Sequence, residues 1–66
     1  MQIQVNGDAL DVSENVTLAE LVDQLELTGK RIAIELNLEI IPRSEHASTR
    51  LNAGDQVEIV HAIGGG

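Results

Sequence analysis

The end of the sequence offers chemistry through its backbone alone. Gly64, Gly65 and Gly66 follow His61-Ala62-Ile63 directly. Because glycine has no side chain to pack, this run predicts a thin mobile tail over 64–66 behind a folded domain over 1–63. Such a tail can thread a narrow channel and present the Gly66 carbonyl to an attacking group. From the residue types alone, a frayed end or a cloning remnant is the alternative.

The other polar residues indicate no catalytic site. The chain has no cysteine, which excludes a thiol nucleophile and a thiolate zinc site. We expect His46, in a polar loop, and His61, at a strand end, to be solvent-exposed rather than joint metal ligands. Glu35 and Glu39 alternate with apolar residues, which predicts the outer face of a sheet rather than acid–base catalysis. We therefore expect no catalytic residue, no metal and no bound cofactor.

Length and charge limit the class of protein. With 66 residues and no aromatic side chain, the chain can build one small aliphatic core. Its net charge of −7 opposes binding to nucleic acid or to anionic membranes. Neither a leader nor a membrane-spanning stretch is recognisable, so we expect a cytoplasmic protein. Six acids and no Lys or Arg precede Lys30, which indicates either an acidic face that steers a basic partner or a solubilising surface.

The elements that hold the tail can be predicted from periodicity. Asn6-Gly7 between two alternating segments predicts a β-hairpin. Thr17-Leu18-Ala19-Glu20 predicts a capping box that starts a helix over 18–27, ended by Thr28-Gly29-Lys30. Alternation then predicts strands over 32–36, 38–41 and 56–61, with a turn at Asn37 and a short helical turn over 44–47. The order β-β-α-β-β-β predicts an α+β fold, with one helix across one face of a five-stranded mixed sheet.

Several motifs together resemble one known family over the whole length. They are Asn6-Gly7, Thr17-Leu18-Ala19-Glu20, Ala33-Ile34-Glu35-Leu36-Asn37, Ile41-Pro42-Arg43, Gly54-Asp55 and Gly65-Gly66. The chain resembles the ThiS family, the sulfur carriers of thiamine-thiazole synthesis. This resemblance implies the ubiquitin-like β-grasp fold. A terminal Gly-Gly alone is less specific, since ubiquitin and the molybdopterin synthase small subunit share it. Gly64 extends the pair to three, which we interpret as tolerated variation.

The resemblance implies a mechanism and a set of partners. An E1-like adenylyltransferase would consume ATP to join AMP to Gly66, while Gly64 and Gly65 thread its active site. A sulfur relay fed by a cysteine desulfurase would then convert Gly66 to a thiocarboxylate, and thiazole synthase would accept that sulfur. The carrier itself would be a co-substrate, not an enzyme, and a monomer when free.

A docking surface can be predicted beside the tail. Val60 and Ala62 should face away from the helix if Val57 and Ile59 face it, because side chains alternate along a strand. With Ile63, these two residues form a candidate docking strip. Three other functions remain open: a protein modifier joined to target lysines through Gly66, a molybdopterin-synthase-type small subunit, and a structural domain without tail chemistry.

Overall fold

The computed structural model describes residues 1–62, so the predictions made for Ile63 and for the tail over 64–66 lie outside the described residues. The chain forms strands β1 (Gln2–Val5), β2 (Asp8–Asp11), β3 (Ile32–Leu36), β4 (Glu39–Ile41) and β5 (Gln56–His61), helix α1 (Leu18–Gln24) and a 3₁₀ helix (Arg43–Glu45). This order confirms the predicted α+β class.

The five strands form one mixed sheet in the order β2-β1-β5-β3-β4. Strand β1 pairs parallel with β5, and the other neighbouring pairs are antiparallel. The last strand in chain order is therefore the central one. Its two neighbours hold it along both edges, which suits a strand that must position the residues after it.

The predicted β1–β2 hairpin is confirmed. Asn6 and Gly7 have φ angles of 51° and 86°, and a two-residue turn that matches the twist of the strands requires positive φ at both positions. The register pairs Ile3 with Leu10, so their side chains share one face. That face is the one covered by α1.

The capping box is confirmed, but α1 is shorter than predicted. Thr17 Oγ1 accepts the amide N–H of Glu20 at 3.2 Å, and the Thr17 amide donates to Glu20 Oε1 at 2.9 Å. The helix ends at Gln24 because Glu26 has a φ of 60° and the amide of Leu27 donates to the carbonyl of Val22. This is the Schellman arrangement with Glu in the position that glycine favours. No helix among residues 1–62 has the length and apolar character that a bilayer crossing requires.

Two boundaries in the second half of the chain differ from prediction. Strand β4 begins at Glu39 because Leu38, with a φ of 72°, belongs to the turn. The short helical segment lies over Arg43–Glu45, directly after Pro42, rather than over 44–47. Pro42 ends β4 as predicted.

The core is aliphatic and lies between α1 and the sheet. Nine hydrophobic residues are buried among residues 1–62: Ile3, Val12, Val16, Leu18, Leu21, Ile34, Leu51, Val57 and Ile59. They come from strands β1, β3 and β5, from α1, from the connection between β2 and α1, and from the loop before β5. The core therefore joins α1 and both loops to the central strand β5 and to its two neighbours.

The prediction that His46 is exposed is wrong. Its side chain is only 8% exposed, and Nε2 lies 3.0 Å from the carbonyl oxygen of Ile41. The amide of Ala19 also donates to the carbonyl of His46, which ties this loop to α1. His61 is exposed, as predicted.

Candidate functional site at the end of strand β5

Strand β5 is fixed on both sides shortly before the predicted tail. The backbone ladder with β1 ends at the pair Val5 and Val57. The side chain of Asn6 continues it: the Ile59 amide donates to Asn6 Oδ1 at 2.8 Å, and Asn6 Nδ2 donates to the Ile59 carbonyl at 3.2 Å. A side chain thus replaces the missing backbone partner of Ile59, which leaves little freedom at this point of β5.

The antiparallel pairing with β3 continues further along β5. It reaches His61, opposite Ile32, and the amide of Ala62 then donates to the carbonyl of Arg31 at 3.0 Å. The structure therefore fixes the place from which the chain continues into residues 63–66. Gly64, Gly65 and Gly66, the predicted chemical part of the site, lie beyond it and outside the described residues.

The two described residues of the predicted docking strip, Val60 and Ala62, are exposed. Val57 and Ile59 are buried, whereas the side chain of Val60 is 57% exposed and that of Ala62 is exposed. Val60 pairs with Ala33 of β3, so the two lie side by side on the face away from α1. Ile63 lies outside the described residues. The docking role of these residues stays a prediction.

Two carboxylates lie next to each other on this outer face. Glu35 of β3 pairs directly with Glu58 of β5, and like charges in opposed positions destabilise a sheet. Among residues 1–62 neither forms an ion pair. Glu39 is not on this face, contrary to prediction, because it pairs with Leu36. Sequence reasoning missed Glu58 because a strand's alternation does not reveal which residue of another strand lies opposite.

Basic residues gather near the same end of β5. Arg43 Nη2 donates to the carbonyl of Lys30 at 2.9 Å, and the carbonyl of Arg31 accepts the Ala62 amide. The backbone of Lys30 and Arg31 and the guanidinium of Arg43 thus lie near Ala62. These are three of the four basic residues of the chain. The early acids, in contrast, are spread over several elements: Asp8 and Asp11 lie in β2, Glu20 and Asp23 in α1, and Glu14 and Glu26 in loops. This spread favours the solubilising surface over a single acidic face.

The described part of the chain offers no metal cluster. Within residues 1–62, no three His, Asp or Glu side chains are close enough to hold an ion. His46 is engaged with a backbone carbonyl inside the fold, whereas His61 is at the exposed end of β5. The arrangement suits the presentation of a chain segment to another protein.

Comparisons with known proteins agree with this arrangement. The model of the ThiS family matches residues 2–66. The sulfur carrier protein ThiS of Escherichia coli is 33% identical over 66 residues, which cover both chains completely. A thiazole synthase of Paramagnetospirillum magneticum is 39% identical over the whole chain, which spans only 20% of that protein.

The same similarity appears among solved structures. The crystal structure of a thiamine biosynthesis protein (ThiS) from Geobacter metallireducens has a TM-score of 0.87 at 32% identity, and the match covers all of both chains. The fold and the sequence thus point to one family along the whole length. The chain belongs to the ThiS family.

Proposed function

We propose that this protein is a sulfur carrier of thiamine biosynthesis and that Gly66 bears the sulfur as a thiocarboxylate. The observation that carries the proposal is the full-length match to the ThiS family, on a domain whose central strand leads directly into the glycine segment. The absence of cysteine is compatible with it, because the terminal carboxyl group, not a thiol, would hold the sulfur.

The chemistry needs activation, because a carboxylate is a poor electrophile. An oxygen of the Gly66 carboxylate would attack the α-phosphate of ATP, which releases pyrophosphate and leaves an acyl-adenylate. A persulfide sulfur would then attack the acyl carbon and release AMP. The product is an acyl disulfide. A second thiol, acting as the reductant, would attack the donor protein's sulfur in it, which forms a new disulfide with the donor and releases the thiocarboxylate on Gly66. All catalytic groups for these steps would belong to partner proteins.

The partners follow from these steps. An adenylyltransferase would carry out the first step, a sulfur relay supplied by a cysteine desulfurase the second, and thiazole synthase would receive the sulfur. The thiazole synthase of Paramagnetospirillum magneticum supports the last of these, because part of it is similar to this chain. Val60, Ala62 and Ile63 would contact a partner while Gly64 and Gly65 thread its active site, where a side chain would obstruct the channel.

Intact mass of the protein from thiamine-limited cells tests the proposal against its alternatives. A carrier should show one terminal oxygen replaced by sulfur. A protein modifier should instead appear as isopeptide-linked adducts on other proteins. A molybdopterin-synthase-type subunit would also carry sulfur, so a pull-down must recover thiazole synthase to support the thiamine role.

Variants of the glycine segment test the mechanism. Deleting Gly66 shortens the extended chain by about 3.5 Å, and misplacement of this order costs about 100-fold in rate. Gly65→Val keeps the length but adds a branched side chain, so it should also block adenylation. Gly65→Ala adds only a methyl group, so its adenylation rate should lie between those of the parent and Gly65→Val. Because the substitutions leave the core intact, the free energy of unfolding should change by less than about 0.5 kcal/mol. If the Gly66 deletion and Gly65→Val were both adenylated with ATP and converted to the thiocarboxylate like the parent, the proposal would be contradicted.

A further inference from the structure

The β3–β4 turn holds a leucine in a conformation that leucine disfavours. Asn37 and Leu38 connect the two strands with φ angles of 50° and 72°. Asparagine tolerates positive φ, but for a bulky residue it is an outlier, and glycine is the usual second residue of such a turn. The side chain of Leu38 is also 85% exposed, so burial in the free domain does not offset the strain.

The surrounding hydrogen bonds hold this turn in place. The Asn37 amide donates to the Gln56 carbonyl at 2.8 Å, and the Gln56 amide donates to Asn37 Oδ1 at 3.0 Å. Asn37 Nδ2 also donates to Asp55 Oδ1 at 3.1 Å. Strained residues persist where neighbouring structure over-determines them, and an observed outlier of this kind is a reason to look for function.

Other exposed hydrophobic residues continue from this turn along the sheet. Ile40, two positions after Leu38, is 72% exposed and pairs with Glu35 on the outer face. Glu35 pairs in turn with Glu58, and the next outward residue of β5 is Val60. Leu38, Ile40 and Val60 are the large exposed hydrophobics of the described residues. Within residues 1–62, an apolar path thus leads from the turn to the end of β5, interrupted by two carboxylates that form no ion pair there.

We propose that Leu38 and Ile40 form an anchor that docks the adenylyltransferase while it activates Gly66, an inference that rests on the proposed function. The two side chains enter an apolar pocket of that enzyme, and a lysine or arginine beside the pocket pairs with Glu35 and Glu58. Charge complementarity favours such a partner over a second copy of this chain. Two copies meeting through this face would bring their carboxylate pairs together, in a protein of net charge −7.

Leu38→Gly tests the anchor because its effects on folding and on docking have opposite signs. Glycine relieves the positive-φ strain, so the midpoint of thermal unfolding should rise. Loss of the apolar side chain should raise the KM of the adenylyltransferase for the carrier roughly tenfold to a hundredfold. The kcat should be unchanged, because the tail still reaches the active site at saturation. Leu38→Met, which keeps a large apolar group, should stay within about twofold of the parent KM.

Glu26→Gly is the matched control. Glu26 is exposed, has a φ of 60° and lies at the end of α1, not on the outer face. Glycine there should raise stability in the same way and leave KM near that of the parent. Ile40→Thr keeps a β-branched strand residue, removes apolar surface, and should raise KM like Leu38→Gly.

The possible results separate the anchor from the carrier function. If the parent is adenylated and Leu38→Gly shows an unchanged KM, the anchor is wrong and the carrier function stands. A rise in the KM of thiazole synthase alone, or a dimer of the free parent that Leu38→Gly dissolves, would also overturn the anchor. If the parent is not adenylated at all, the proposed function fails and the anchor fails with it.

Discussion

Replacing Asn6 should lower the free energy of unfolding far more than a substitution in an exposed turn usually does. Asn6→Ala removes both hydrogen bonds to Ile59, whose side chain is only 7% exposed. Each such bond contributes about 1 kcal/mol net. A residue other than glycine or asparagine at the φ of 51° adds about 1 kcal/mol of strain. The expected loss is about 3 kcal/mol, a large part of the roughly 3–10 kcal/mol available to a domain of this size.

Urea unfolding monitored by far-ultraviolet circular dichroism measures this loss directly. Asn6→Gly serves as the control, because glycine accepts positive φ and removes only the hydrogen bonds. It should cost about 2 kcal/mol, which leaves about 1 kcal/mol between the two variants as the backbone contribution. Amide hydrogen exchange at Val60 and His61 should also accelerate, since β5 loses its anchor on the β1 side.

Two results would refute this reasoning. If both variants lose less than about 0.5 kcal/mol, the side chain of Asn6 does not replace a strand partner of Ile59. If alanine and glycine cost the same, positive φ contributes nothing at this position.

Other predictions concern the helix, the core and the charges. Thr17→Ala removes the acceptor for the Glu20 amide and should cost about 1 kcal/mol in urea unfolding, whereas an unchanged midpoint would mean that the capping box is inert. Leu21→Ala, at a position with no exposed surface, should cost about 3 kcal/mol and leave much of the protein unfolded at 37 °C; a native circular dichroism spectrum at that temperature would contradict this. Raising salt should slow association with the adenylyltransferase more than it speeds dissociation, because Glu35 and Glu58 steer a basic partner; an association rate independent of salt in stopped-flow measurements would remove them from the mechanism.

Local signals were sufficient to predict most of the elements. Asn6-Gly7 specifies its turn through backbone conformation, and Thr17 with Glu20 specifies a helix start through hydrogen bonds between near neighbours. Alternation in β5 was sufficient to assign Val57 to the core and Val60 to the surface. In each case the physical cause acts within a few residues, so it is visible in the sequence.

The predictions that failed depend on tertiary structure. The helix stops early because Glu26 adopts a positive φ. The sequence has no glycine at this position, so the usual signal for a positive φ is missing. His46 is buried because its ring meets the carbonyl of Ile41 within the folded loop. The pairing of Glu35 with Glu58 depends on the register between strands distant in the chain. The role proposed for Gly66 rests on the family resemblance, since glycine has no side chain from which a specific reaction can be inferred.

The central position of β5 has a consequence for synthesis on the ribosome. A chain is made from its N-terminus, so β1 to β4 emerge before the strand that separates β1 from β3 exists. Until β5 follows, the core also lacks Val57 and Ile59. Folding must therefore wait for residues 56–61 to leave the exit tunnel, and pairing β1 with β5 requires the slow closure of a loop that spans most of the domain. The outer face of the sheet consequently forms only in molecules whose translation has passed β5.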